Sequence, residues 1–154
     1  MPKPQGKKEI ATNRKAFHDY FVLERFEAGI SLAGTEVKSV RAGQVNMKDS
    51  FCTVKDGELF LRGMHISPYE HGSIFNRDPV RARKLLMHKR EIFKLNARIM
   101  QDGVALIPLS LYFRDGRVKV ELGLCKGKKL HDKRDSEAER ESKRDIERTI
   151  KERI

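Results

Sequence analysis

Aromatic and apolar side chains crowd the stretch "FHDYFVLERFEAGISL", at Phe17, Tyr20, Phe21, Val22, Leu23, Phe26, Ile30 and Leu32. This texture predicts a long, bent strand, with Gly29 at a bulge or bend. In "GTEVKSVRAG" the apolar positions become Val37 and Val40, three apart, with Thr35 as a cap and Gly43 as a stop. A short helix is expected there. Two Asp-Gly pairs, Asp56-Gly57 and Asp115-Gly116, each sit between strand-like runs and predict tight hairpins. In the second hairpin Val118, Val120 and Leu122 alternate with Lys119 and Glu121, so one face is apolar and the other polar.

Between the hairpins the period is helical. On a wheel at about 100° per residue, Leu85, Leu86, His88, Ile92, Phe93, Leu95, Ile99 and Met100 fill one half. Arg83, Arg90, Lys94 and Arg98 fill the other, and Asp102-Gly103 ends the run. A helix over 81–101 is expected, its apolar half on the core and its cations outward. Five or more strands, two tight hairpins and few helices point to a mainly β fold. The expected architecture is an OB-fold-type closed β-barrel with flanking α-helices.

The ends have a different texture. Residues 1–15 hold five Lys or Arg, one Glu and two prolines, which predicts a flexible basic arm. The barrel domain is expected over 16–124. Residues 125–154 read "CKGKKLHDKRDSEAERESKRDIERTIKERI", a charged tail with few residues to bury. Ser136 and Glu139 form a capping box, and Glu139–Lys143 and Glu147–Lys151 repeat at helical spacing. Ala138, Ile146, Ile150 and Ile154 make only a thin apolar stripe. The tail is expected to be disordered when free and helical once a partner supplies the missing contacts.

Charge narrows the partner. The chain of 154 residues carries +11, of which +3 lies in 125–154 and +8 in the body. Residues 76–98 alone hold eight basic residues and two acidic ones. Such single-sign clustering fits a polyanion, nucleic acid ahead of an anionic membrane surface. No run approaches the roughly 20 apolar residues of a spanning helix, and the N-terminus lacks the apolar segment of a signal peptide. Cys52 and Cys125 are far apart and form no CxxC, which fits a reducing cytoplasm, with Cys52 a packing residue.

Catalytic constellations are poor. The histidines at 18, 65, 71, 88 and 131 share no metal-ligand spacing with the cysteines. "GLCKGKK" resembles a phosphate loop, but Gly123 and Gly127 are too close and no Ser or Thr follows the lysine. There is no GxSxG. No enzyme activity, metal or cofactor is expected.

Three blocks, "FEAGISLAGTEVKSVRAGQVNMKDSF", "RARKLLMHKREI" and "GLCKGKKLHDKR", occur in this order before a charged tail. Together they closely resemble SmpB, the bacterial family that binds transfer-messenger RNA, from about Asn13 to the C-terminus. The resemblance implies an OB-type barrel, no catalysis, and one protein monomer per RNA. It also implies delivery of that RNA to stalled ribosomes, the tail entering the empty mRNA channel against small-subunit RNA. Glu27, Leu86 and Lys119 match the family's RNA-binding positions, and His131, Asp132, Lys133 and Arg134 its decoding-centre segment. Arg83, Lys84, Arg90 and Lys94 join the expected RNA face through their charge, and Lys126, Lys128 and Lys129 join the channel segment. Met87 stands where leucine is common in the family. The rival readings are a ribosomal-protein-like structural RNA binder and an OB-type nucleic-acid enzyme. Salt-sensitive binding to a tRNA-like elbow, without turnover, separates the first reading from both.

Overall fold

The computed structural model describes residues 7–69, 76–129 and 134. The first half of the chain forms β1 (Lys8–Thr12), α1 (Arg14–Asp19), β2 (Tyr20–Ile30), α2 (Gly34–Arg41) and β3 (Val45–Asn46). Then come β4 (Phe51–Lys55), β5 (Glu58–Arg62), β6 (His65–Ile66) and β7 (Arg83–Leu86). Last are α3 (Lys89–Asp102), β8 (Ala105–Arg114) and β9 (Arg117–Gly127).

Both Asp-Gly turns form as their sequence predicts. Asp56 and Gly57 have φ of 52° and 76°, and Asp115 and Gly116 have 52° and 77°. Left-handed backbone at both central positions matches the twist of the flanking strands, and few residue pairs tolerate it. The turns fix the β4–β5 and β8–β9 registers, pairing Lys55 with Glu58 and Arg114 with Arg117. Among the described residues seven strands join antiparallel in the order β1-β8-β9-β2-β7-β5-β4, and β3 pairs with β6.

Side chains on the inner face of this curled sheet meet in one core. Leu59, Leu61, Leu85, Leu106, Leu111, Val120, Leu122 and Leu124 are buried there with Ile92 and Leu95 of α3. A second cluster lies on the outer face, where Ala16 of α1 covers Ile107, Leu109 and Cys125. The lower halves of β8 and β9 are therefore buried on both sides, and the alternation seen at 118–122 stops at Gly123. A bulge in β8 between Pro108 and Ser110 turns Leu109 into this second cluster.

The structure departs from the sequence expectations in several places. The expected helix over 81–101 begins at Lys89, because 83–86 pairs with β5 and β2 and alternates buried and exposed. Ladder pairing overrides the helical spacing of the apolar residues there. His88 is the exposed cap residue rather than a packing residue, and α3 ends at Gly103 with φ of 62°. The predicted strand from Phe17 starts at Tyr20, because Asn13 caps α1 by accepting from the Ala16 amide at 3.2 Å. The β2 bulge falls between Val22 and Glu24, not at Gly29. α2 is capped at Ala33, whose amide donates to Glu36 Oε1 at 2.9 Å, in place of Thr35.

Both ends of the body extend beyond the expected limits. Residues 8–12 of the expected arm are strand, paired with β8, and residues 1–6 lie outside the described residues. Cys125 is fully buried and β9 runs to Gly127, so the expected start of the tail belongs to the sheet. The Lys128 amide then donates to Asp19 O at 2.8 Å. Among the described residues ladder pairing does not close the barrel: β1 and β4 are the two edges of the sheet, although β4 folds back against β8.

Candidate nucleic-acid interface

Cross-strand register decides which side chains share the outer face. Leu86 lies opposite Gly29, Gly29 opposite Lys119, and Lys119 opposite Tyr112. Partners across a ladder point to the same side, so these four form one row over β7, β2, β9 and β8. The neighbouring row holds Glu27, Glu121 and Ser110. α1 covers the lower part of this face; in these rows Glu27 and Leu86 are exposed and Lys119 half-buried, while Tyr112 and Ser110 are buried. Thus Glu27, Leu86 and Lys119, three sequence-nominated residues from three strands, come together on one surface.

Gly29 makes room in that row, since a Cβ there would stand 3.2 Å from Leu86 Cβ. Leu86 itself is 54% exposed. Glu27 is held by two donors, the Tyr112 hydroxyl and Arg114 Nη1, the latter at 2.6 Å. Arg25 Nη1 donates to Glu121 Oε1 at 2.7 Å and its guanidinium lies 5.6 Å from the Phe17 ring. Lys7 Nζ sits 4.8 Å from the Tyr112 ring centroid. Lys119 has no ion-pair partner among the described residues. An unpaired ammonium beside an oriented carboxylate offers a phosphate site next to an acceptor for a hydroxyl or base amine.

Burial pushes the Tyr112 phenol up, and the Glu27 carboxylate adds to it by hydrogen bond and charge. One tyrosine is therefore expected to titrate well above the ordinary phenol value of about 10 in an alkaline absorbance titration. Tyr112→Phe should delete that late phase. If every tyrosine still ionised near the ordinary value, the Tyr112–Glu27 hydrogen bond would be wrong.

The remaining nominated residues divide. Lys84 is exposed on the outer face of β7, with Nζ 3.0 Å from Glu58 Oε1. Arg90 and Lys94 are exposed on α3 and carry no ion pair among the described residues. Arg98 of the expected ridge is instead tied to Glu24 at 2.5 Å and Asp102 at 3.9 Å. Arg83 is not on a surface at all. Its side chain is fully buried, with Nε donating to Glu36 Oε2 at 2.8 Å, Nη1 to Met64 O at 2.7 Å and Nη2 to Pro79 O at 2.9 Å. As a strand residue it points inward opposite Leu61, so it cannot contact RNA.

Lys126 pairs across from Phe21 on the sheet, and Lys128 Nζ lies 5.1 Å over the Phe21 ring while donating to Phe17 O at 3.2 Å. Lys129 and Arg134 are exposed, and His131, Asp132 and Lys133 lie outside the described residues.

Tyr112, Arg114, Gly29 and Arg25 went unnominated. Tyr112 was within reach, because a two-residue Asp115-Gly116 turn pairs 114 with 117, 113 with 118 and 112 with 119. Among the described residues no group of acidic, His and Cys side chains could hold a metal, and no helix is long and apolar enough to cross a membrane.

Comparison with known proteins gives the family. The family model described as "SmpB protein" matches residues 10–152. The SsrA-binding protein of Clostridium tetani is 59% identical over 153 residues, 99% of this chain and 98% of that one. The SsrA-binding protein of Acetivibrio thermocellus is 59% identical over 148 residues, 96% of each chain. A solved structure described as "tmRNA-SmpB: a journey to the center of the bacterial ribosome" aligns at a TM-score of 0.66 with 53% identity, covering 78% of this chain and 85% of that one. Matched from the first strand through the charged tail, and to relatives end to end, this chain belongs to the SmpB family.

Proposed function

We propose that this protein binds the tRNA-like domain of transfer-messenger RNA and delivers it to stalled ribosomes for trans-translation. Family membership supports the reading, as do relatives named for binding SsrA and a similar structure whose description pairs the family with that RNA and the ribosome. The observation that carries it is the convergence of Glu27, Leu86 and Lys119 on one open face. Lys119 contacts a phosphate, Leu86 packs on a sugar or base, and Glu27, oriented by Tyr112 and Arg114, accepts from a hydroxyl or base amine. The curled sheet is the OB-type frame that presents them, with β4 folded back on β8.

Lys84 adds charge beside this row, and Arg90 and Lys94 present a second cationic surface on α3. Segment 125–154 reaches the mRNA channel, its lysines at 126, 128, 129 and 133 meeting phosphates of small-subunit RNA with His131, Asp132 and Arg134 at the decoding centre. The protein acts by binding, as a cytoplasmic monomer on each RNA, without cofactor, catalysis or membrane attachment.

Lys119→Ala and Leu86→Ser should each weaken transfer-messenger RNA binding while circular dichroism stays unchanged. For Lys119, one lost phosphate contact should lower the salt slope by about one. Binding unchanged in both variants would remove this face from the interface.

A further inference from the structure

The exposed side of α3 is unlike an ordinary solvated helix face. Phe93 is 77% exposed and Met100 78%, although both fell on the apolar half of the wheel predicted from sequence. Ile92 and Leu95 instead supply the buried side of α3. Phe93, Ala97 and Met100 lie at helical spacing, so they share one stripe. Lys89, Arg90 and Lys94 are exposed alongside it, none in an ion pair among the described residues. Phe93 also forms one wall of a groove of about 580 Å³ between α3 and the β4–β5 turn. Asp56 and Glu58 line that groove with Lys89 and Arg90. α3 packs Ile92 and Leu95 into the core, and the groove meets the outer face at Glu58, whose Oε1 lies 3.0 Å from Lys84 Nζ.

We propose that this groove is a second RNA site that takes one unstacked nucleobase, stacked on Phe93, with Arg90 and Lys94 on the adjoining phosphates. This rests on the reading of Arg90 and Lys94 as an RNA-facing surface and adds the chemistry of what they hold. Three cations without partners select a polyanion over an apolar protein helix, and an exposed aromatic ring gives a base its platform. Asp56 offers a carboxylate to an exocyclic amine, and adenine, which carries one and has the larger stacking surface, is favoured over uracil.

The chain contains no tryptophan, so Phe93→Trp installs a single fluorescent reporter. The full-length variant is titrated with eight-nucleotide oligoadenylate and oligouridylate at low salt. Oligoadenylate should quench the indole by stacking, several-fold more tightly than oligouridylate, and added salt should reverse the quenching. Quenching should persist when the variant also carries Lys119→Ala.

A second measurement removes the reporter's own bias. In otherwise unchanged protein, Phe93→Ser should weaken binding of labelled oligoadenylate about tenfold, which is a stacking loss of about 1.4 kcal/mol. Arg90→Glu with Lys94→Glu should weaken it further and flatten the salt dependence. If the charge reversals weaken binding but Phe93→Ser does not, the ridge reading stands and the base slot is overturned. If neither matters, both fall.

Discussion

Truncation after Gly127 is expected to leave transfer-messenger RNA binding nearly intact while reducing peptide tagging on stalled ribosomes to background. The cut removes ten basic and eight acidic residues, so a body carrying +9 remains and long-range attraction to RNA is largely preserved. The rows holding Glu27, Leu86 and Lys119 end well before the cut. Truncation after Lys129 separates anchorage from reach. It keeps the Lys128 contacts to Asp19 O and Phe17 O, yet it should fail in tagging as completely. Binding is checked by filter retention and tagging by a reconstituted translation assay on a message lacking a stop codon. Normal tagging by either truncated chain would reduce the tail to a solubilising segment.

Legibility of the fold followed the locality of the signal. The Asp-Gly hairpins were readable because a two-residue turn with left-handed φ is a requirement few residue pairs meet. The end of α3 was readable for the same reason, through Gly103. By contrast, "RARKLLMH" carries apolar residues at spacings that suit either a helix or a strand. What decides is the ladder of β7 with β5 and β2, from residues more than twenty positions away. Phe93 and Met100 are misplaced for a different reason: at about 100° per residue they stand about 80–100° from Ile92, beyond the narrow Leu95–Ile99–Ile92 arc that reaches the core.

The site was legible in its parts and not in its assembly. The residues at 27, 86 and 119 could be nominated from resemblance, and the polar face of Lys119 from alternation. That they share one face depends on three cross-strand pairings, and on α1 covering only the lower end of the outer face. Asn13 shows how α1 escaped notice. Its side chain both caps the helix and donates to Pro108 O at 2.8 Å, a contact 95 residues away that no local pattern announces.

Arg83→Met is expected to destabilise the protein by about 3–5 kcal/mol, the cost of breaking a buried ion pair from one side. At 150 residues each kcal/mol shifts Tm by about 2–4 °C, so a fall on the order of 10 °C should appear in thermal denaturation. The guanidinium ties α2 through Glu36, the β5–β6 connection through Met64 O and the 76–82 connection through Pro79 O. Its loss strips Met64 O of that donor, leaves Pro79 O with the Ile66 amide at 2.9 Å, and leaves Glu36 with Arg81 and the Ala33 amide. Burial opposes ionisation of Glu36, but hydrogen bonds from Arg81, the Ala33 amide and Arg83 hold its carboxyl below the ordinary 4.5. A carboxyl lowered by folding contributes fully above the ordinary value, and that contribution fades as pH drops through the lowered one. Acidification below about 4.5 should therefore weaken the wild type, and Glu36→Gln should flatten that part of the stability curve. Replacing Glu36 and Arg83 together by Met should cost less than the sum of the single changes, by about 0.5–3 kcal/mol, because neither charge is then left buried alone. Had Arg83 belonged to an outward cationic ridge, Arg83→Met would lower RNA affinity and leave Tm where it was. The buried network requires the opposite: a large fall in Tm, with RNA affinity per folded molecule unchanged.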